Sequence, residues 1–258
     1  MNSRKIFYIT IDGVRADAFR SCGHPLVEEV YQKSSYTLEG TSVIPPVTLP
    51  AHLSIFQSVN PSRHGVLTNT YVPPARPFDG LFEALHHAGK TSAMFYAWEP
   101  LRDVCRPGLL TFSEYAFAYS MESSDTYLTD RALNCVREHE PDFLFLHLVE
   151  TDEKGGHDNG WMTPAYFDRL RIALDNVKRI IDACGDKYTI IVSADHGGHE
   201  RLHGFDIPED MIIPMFFWGE PFEAGKELKN VSLLDLTPTI AKLMGISAVR
   251  EWEGNSIV

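Results

Sequence analysis

The chain has 258 residues, 44% of them hydrophobic and 22% charged, with a formal charge of −12. That length and balance fit a globular domain with a sizeable core, and the acidic excess argues against a basic face for a nucleic-acid polymer or an anionic membrane. An anionic substrate is compatible with such a chain where bound cations reverse the local sign, so a phosphate-ester substrate would bring a metal with it.

The four cysteines, Cys22, Cys105, Cys135 and Cys184, are widely spaced with no C-x-x-C pair. This predicts buried free thiols in a reducing compartment rather than a zinc knuckle or a redox pair. No apolar run reaches the roughly 18 residues of a membrane helix, and no apolar leader with a cleavage site follows Met1. The expected localisation is cytoplasmic, without a membrane partner.

Ile6–Ile11 is an apolar run that ends at Asp12-Gly13. It reads as a buried strand with a carboxylate at its exit. Arg15–Arg20 begins a helix or loop, and the alternation in Ser35–Gly40 suggests a short strand. Two prolines, Pro45 and Pro46, hold an extended approach to Thr48, which sits where an N-cap belongs. Pro50 and the periodic Leu53, Ile55, Phe56 and Val59 then predict a helix, with Asn60–Gly65 closing it. Gly80–Ala88 is a further helix and Thr91–Ala97 a strand, while 98–125 shows no regular pattern.

Thr126–Glu138 predicts a helix. Phe143–Val149 is a buried strand ending in Glu150, Asp152 and Glu153, with Gly155-Gly156-His157 following. Pro164–Cys184 carries a helical apolar period with Asp168, Asp175 and Asp182 on its wet face. Tyr188–Ala194 is a strand that ends at Asp195-His196-Gly197-Gly198-His199. Ile212–Trp218 is another, placed at an edge or a bulge by Pro214. Leu233–Met244 is the last helix, before Gly245.

Alternating strands and helices predict an α/β fold with a largely parallel central sheet, as one domain over residues 1–258. Three strands then end in carboxylates, at Asp12, at Asp152 and at Asp195. In such a sheet those ends converge on one face. With His157, His196 and His203 they form an oxygen–nitrogen donor set that suits zinc. The set is large enough for two metals, an arrangement that suits phosphoryl chemistry. Thr48, at a helix start, is either an N-cap or a nucleophile activated by metal and helix dipole.

The succession Asp12-Gly13, Thr48-Leu49-Pro50-Ala51-His52, Asn60-Pro61-Ser62-Arg63-His64-Gly65, Asp152…His157, Asp195-His196-Gly197 and His203-Gly204 resembles the alkaline phosphatase superfamily. Within it, the chain is most similar to the type I phosphodiesterase/nucleotide pyrophosphatase branch. The similarity runs from residue 6 to Trp252-Glu253-Gly254. It implies an alkaline phosphatase-like three-layer sandwich and two divalent metal ions, zinc with manganese as the alternative. One ion would be held by Asp12, Thr48, Asp195 and His196, the other by Asp152, His157 and His203. It also implies a covalent phospho-threonine on Thr48, with Asn69 binding the phosphoryl oxygens.

The implied activity is hydrolysis of a small-molecule phosphate ester or nucleotide, with phosphodiester or pyrophosphate bonds favoured. The alternatives are a phosphomonoesterase, a phosphonate hydrolase, or a non-catalytic binding protein that retains the fold. A sulfatase is disfavoured because position 48 lacks the cysteine or serine that sulfatases modify.

Three departures stand out. The family spaces its middle Asp and His by three residues, whereas Asp152 and His157 are separated by four, which leaves Glu153 as an alternative ligand. Gln57-Ser58 stands where the family commonly has glycine. The chain is short, so its specificity and cap elements are expected to be reduced or to lie in 70–125. Among the other histidines, His52 is expected to pack or support a ligand, His64 to hold its turn and His147 to be a hydrogen-bonded core residue. His199 is open between substrate contact and an exposed turn. His24, His86, His87 and His139 read as surface residues.

Overall fold

The computed structural model describes residues 4–74 and 76–258. Seven strands form one sheet: β1 (Lys5–Ile11), β2 (Ser34–Thr41), β3 (Ser92–Tyr96), β4 (Phe112–Tyr115), β5 (Phe143–Leu148), β6 (Tyr188–Ser193) and β7 (Ile212–Trp218). Their order is β2-β7-β6-β1-β5-β3-β4. β7 runs against both of its neighbours, and the pairs β6–β1, β1–β5, β5–β3 and β3–β4 are parallel.

The helices are α1 (Ala16–Ser21), α2 (Pro25–Lys33), α3 (Thr48–Gln57), α4 (Pro61–His64), α5 (Leu81–His87), α6 (Ser124–His139), α7 (Pro164–Cys184), α8 (Pro208–Met211) and α9 (Leu236–Leu243). α3, α5 and α9 pack together, as do α6 with α7 and α7 with α2, forming helical layers that flank the sheet. This is the expected α/β sandwich. β5 and β6 are buried along their whole length, as is β1 from Ile6 on. That is why their sequences are near-continuous apolar runs rather than alternating ones.

The period of two in a strand decides what faces α3. Tyr8 packs its ring against Phe56 of α3 and stacks on Phe145 of β5 at 5.4 Å. Thr10 and Asp12 follow Tyr8 on that side of β1, and His147 follows Phe145 on β5. Parallel register sets Thr10 opposite both His147 and Ser193. The polar residues at the strand ends therefore gather over one end of α3.

Several local expectations are revised. The stretch 98–125 contains a 3-10 helix, Glu99–Val104, and the edge strand β4; β4 is only four residues long, too short to carry a periodic signal. Of the two places open to Pro214, an edge or a bulge, the structure shows the second: β7 is an interior strand with a register irregularity opposite Pro214. Its missing N–H is accommodated where the β2–β7 register shifts between Thr37 and Gly40. Thr48 is the first residue of α3, and Val47 takes the N-cap position without a side-chain cap. α3 ends at Gln57, and Pro61–His64 is a separate short helix.

Ser58 adopts a left-handed conformation, with φ 51°, which accounts for a glycine preference there. Its hydroxyl offsets the strain by bonding to Leu234 O and accepting from Gly254 N. His24 is half-buried rather than a free surface residue, and its Nδ1 accepts from Leu26 N at the start of α2. All four cysteines are free and buried. Among the described residues, no helix is long and apolar enough to cross a membrane.

Candidate metal and phosphate site

The strand ends and the start of α3 bring two groups of donors together. Asp12, Asp195 and His196 form one, and Asp152, His157 and His203 the other; within each, the donor atoms lie within 4.8 Å of one another. The imidazoles of His196 and His203 stack at 3.8 Å with an interplanar angle of 13°, which joins the two groups. Gly13 allows this convergence. It has φ 69°, and a Cβ there would stand 2.7 Å from Asp152 Oδ1.

Asp195 and Asp12 each have one oxygen oriented by the protein, and all three carboxylates have one buried oxygen without a partner. Asp195 Oδ1 accepts from Gly13 N at 3.2 Å and His196 N at 2.9 Å. Asp12 Oδ2 lies 3.0 Å from His147 Nε2, and Asp152 Oδ2 lies 3.4 Å from His157 Nε2. Asp195 Oδ2, Asp12 Oδ1 and Asp152 Oδ1 are left unpaired.

The three imidazoles follow a matching rule. A carbonyl oxygen can only accept, so Nδ1 is the protonated nitrogen in each: His196 to Gly197 O, His157 to Arg201 O and His203 to Pro46 O, at 2.7, 3.0 and 3.0 Å. Nε2 is left with its lone pair free for the cluster, the arrangement that fixes tautomer and ring angle in metal-binding histidines.

Electrostatics point the same way. Burial, then repulsion from Asp195 and Asp152, holds the Asp12 carboxyl well above the usual carboxylate range. Burial, then Asp195 and Glu153, does the same to Asp152, and burial raises Asp195. Burial pushes His196 and His203 down to about 3. Crowded buried carboxylates and neutral imidazoles with inward lone pairs are costly in isolation and match a divalent cation in donor type.

The extra residue between Asp152 and His157 is absorbed by backbone geometry. Thr151–His157 is a π-helix. One added residue per hydrogen-bonded turn places positions i and i+5 where an α-helix places i and i+4. Asp152 thereby faces His157, whereas Glu153 stands outside the cluster near the Tyr119 hydroxyl.

Thr48 Oγ1 lies 3.1 Å from His196 Nε2 and is buried. Asn69 Oδ1 accepts from Leu49 N at 3.1 Å, which brings Asn69 to the same helix start. Leu49 N–H is thus committed and Pro50 has none, so Thr48 supplies the free backbone donor among the first three positions of α3.

Among the other histidines, His64 holds its turn, with Nε2 3.1 Å from Ser54 Oγ and Nδ1 accepting from Val66 N. His199 is tied to the buried Asp210 at 2.8 Å. Arg63 is engaged by Glu253 and Glu251 O. Sequence reasoning overlooked Trp161 and Tyr166. Both donate to Gly13 O, at 2.8 and 3.0 Å, and the Trp161 ring lies 5.3 Å from that of His157. A large aromatic residue after a single glycine, as at Gly160-Trp161, is too common a pattern to single out.

The sequence profile of type I phosphodiesterase / nucleotide pyrophosphatase matches residues 6–207. Among curated relatives, a phosphopentomutase from Symbiobacterium thermophilum is 28% identical over 138 residues, covering 52% of this chain and 34% of that protein. A 2,3-bisphosphoglycerate-independent phosphoglycerate mutase from Clostridioides difficile is 26% identical over 152 residues, or 53% and 28% of the two lengths. The matches thus span about a third of those mutases.

In fold, the chain is similar to murine ectonucleotide pyrophosphatase / phosphodiesterase 5, solved as an inactive variant in complex with AMP. The TM-score is 0.81, with 13% identity, covering 98% of this chain and 97% of that one. It is also similar to a phosphonate monoester hydrolase from Silicibacter pomeroyi, with a TM-score of 0.77 and 15% identity, covering 98% and 76%. With the profile matched over most of its length, the chain belongs to the type I phosphodiesterase / nucleotide pyrophosphatase family of the alkaline phosphatase superfamily.

Proposed function

We propose that this chain is a single-domain, metal-dependent hydrolase of small phosphate esters, with diesters or nucleotide pyrophosphates favoured, working through a phospho-threonine on Thr48. The observation that carries the reading is the placement of the Thr48 hydroxyl. It stands at the start of α3, 3.1 Å from His196 in the first donor group, with the second group stacked beside it. Zinc or manganese ions held by Asp12, Thr48, Asp195 and His196, and by Asp152, His157 and His203, would acidify the attacking hydroxyl and offset phosphoryl charge.

The chain's own residues do the rest. Thr48 Oγ1 attacks phosphorus in line, and the bond to the leaving-group oxygen breaks. Thr48 N–H and the Asn69 amide group face the phosphoryl oxygens, where the positive end of α3 favours the added charge. Water then attacks phosphorus from the vacated side, the P–Oγ1 bond breaks, and the phosphoryl product leaves with the Thr48 hydroxyl restored.

A cavity of about 550 Å³, lined by residues including Tyr71, Met94, Tyr96, Arg102 and Arg106, adjoins β3, two strands from Asp12. We assign it to the organic part of the substrate. The buried free cysteines suit a cytoplasmic setting.

The test compares bis-p-nitrophenyl phosphate with the monoester, with zinc or manganese added. Preference for the diester supports the reading, and preference for the monoester makes the chain a phosphomonoesterase. No turnover of either despite bound metal removes hydrolysis and favours a binding protein. Thr48→Ala is expected to abolish turnover while metal stays bound; near-normal activity in that variant overturns the covalent mechanism. The matches to mutases raise a second reading, return of the phosphoryl group to another hydroxyl of the same substrate. Release of free acid and alcohol in equal amounts excludes it.

A further inference from the structure

His147 is the sole polar side chain in the buried strand β5, whose sequence is otherwise Phe143-Leu144-Phe145-Leu146 and Leu148. It is fully buried. Its register partner on β1 is Thr10, and Asp12 follows Thr10 on that face, so the ring reaches along the sheet to Asp12. Nε2 lies 3.0 Å from Asp12 Oδ2. The carboxylate accepts, so Nε2 carries the proton and Nδ1 is the bare nitrogen, which is buried without a partner.

An apolar side chain would fill this space without leaving an unpaired nitrogen. The one polar contact recorded for His147 is Asp12. That contact decides which carboxylate oxygen faces the first donor group: with Oδ2 engaged, Oδ1 is the atom 3.3 Å from His196 Nε2.

The outer oxygen of Asp195 is held by backbone N–H groups of Gly13 and His196, which no substitution at a side chain removes. For Asp12 the same office falls to a side chain. His52 of α3 closes the space on the other side. Its ring meets that of His147 edge-on at 5.1 Å, its Nδ1 donates to Thr48 O at 2.8 Å, and its Nε2 is also unpartnered. His52 is therefore tied to the nucleophile's backbone, and His147 alone to Asp12.

We propose that His147 is a positioning residue for the metal bound through Asp12, setting the carboxylate by donating from Nε2 to Oδ2. The inference rests on the reading of Asp12 as a metal ligand. It is tested on the full chain by zinc titration against a chromophoric chelator, with the two sites resolved by affinity, for wild type, His147→Leu and His147→Gln.

Loss of a partner that orients a ligand costs about 10–100-fold in metal affinity. His147→Leu is expected to weaken one site by that factor and leave the other within twofold. His147→Gln, which keeps an N–H donor, should recover most of the loss. Wild-type affinity at both sites in a folded His147→Leu protein overturns the proposal, because a purely structural role would lower thermal stability without separating the two sites. Should the leucine variant fail to fold, His147→Met replaces it, and equal weakening by methionine and glutamine overturns the proposal. If wild type binds no zinc, the metal-site reading itself fails; if wild type binds and the variants match it, only the role of His147 falls.

Discussion

Gly198→Ala tests whether Trp161 sets the geometry of the second donor group. A Cβ at Gly198 would stand 2.2 Å from Trp161 Cε2, and on the opposing Gly156 it would stand 2.5 Å from Trp161 Cη2. Carbon atoms pack at about 3.5–4.0 Å, so the ring must move by more than about 1 Å. It has little freedom to do so, being held by Nε1 to Gly13 O at 2.8 Å and by packing on Tyr166, His157 and His203. Overpacking of this kind costs about 1–3 kcal/mol. For a chain of 258 residues a kcal/mol is worth about 2 °C in Tm, which gives a fall of about 2–6 °C.

The displaced ring presses on His157 and His203, so one metal should be weakened and the other kept. Thermal melting and metal stoichiometry by elemental analysis read both effects. A Tm within about 1 °C of wild type with full metal content would show that the strand-exit turn relaxes freely, and the reasoning would fail.

Other consequences follow from the same geometry. Asp152→Asn should remove one metal and Glu153→Gln should remove none, read as metal content per chain; the reverse outcome would restore Glu153 as the ligand. Asn69→Ala should lower kcat by about 10²–10³-fold if its amide stabilises the phosphoryl oxygens, with metal content unchanged. Metal affinity should rise with pH, with protons released on binding, because the raised carboxyls of Asp12 and Asp152 hold protons that the cation displaces.

In the metal-free protein those two carboxyls have folded values above their unfolded ones. Their stabilising contribution is therefore complete below the unfolded value near pH 4 and is lost as pH rises through the raised folded values. His196 and His203 act in the opposite sense. Their depressed folded values, about 3, give stability that is present above the unfolded value near 6.5 and lost as pH falls toward 3. Melting of stripped and loaded protein from pH 5 to 8 should therefore show the gain from metal growing with pH, and a constant gain would contradict the carboxyl assignment.

Sequence alone determined the class of fold and, apart from the alternative between Asp152 and Glu153, named the residues that gather into the two donor groups. Buried parallel strands write themselves as apolar runs, and a carboxylate at the end of such a run stands out against them, as at Asp12 and Asp195. Thr48 was legible as a helix start for a similar reason, since Pro45, Pro46 and Pro50 allow little else. Tertiary structure decided what no local pattern encodes. That Asp152 rather than Glu153 gathers with His157 and His203 depends on a π-helical turn, which differs from an α-turn by one hydrogen-bond offset and has no compositional mark. Pro214 marks an edge or a bulge in the sequence, and only the shifted register of β2 against β7 selects the bulge. Trp161, Tyr166 and His147 act through groups far away in sequence, on Gly13 O and on Asp12. A side chain's partner across the sheet is a property of register and packing, and these exist only once the whole chain has folded.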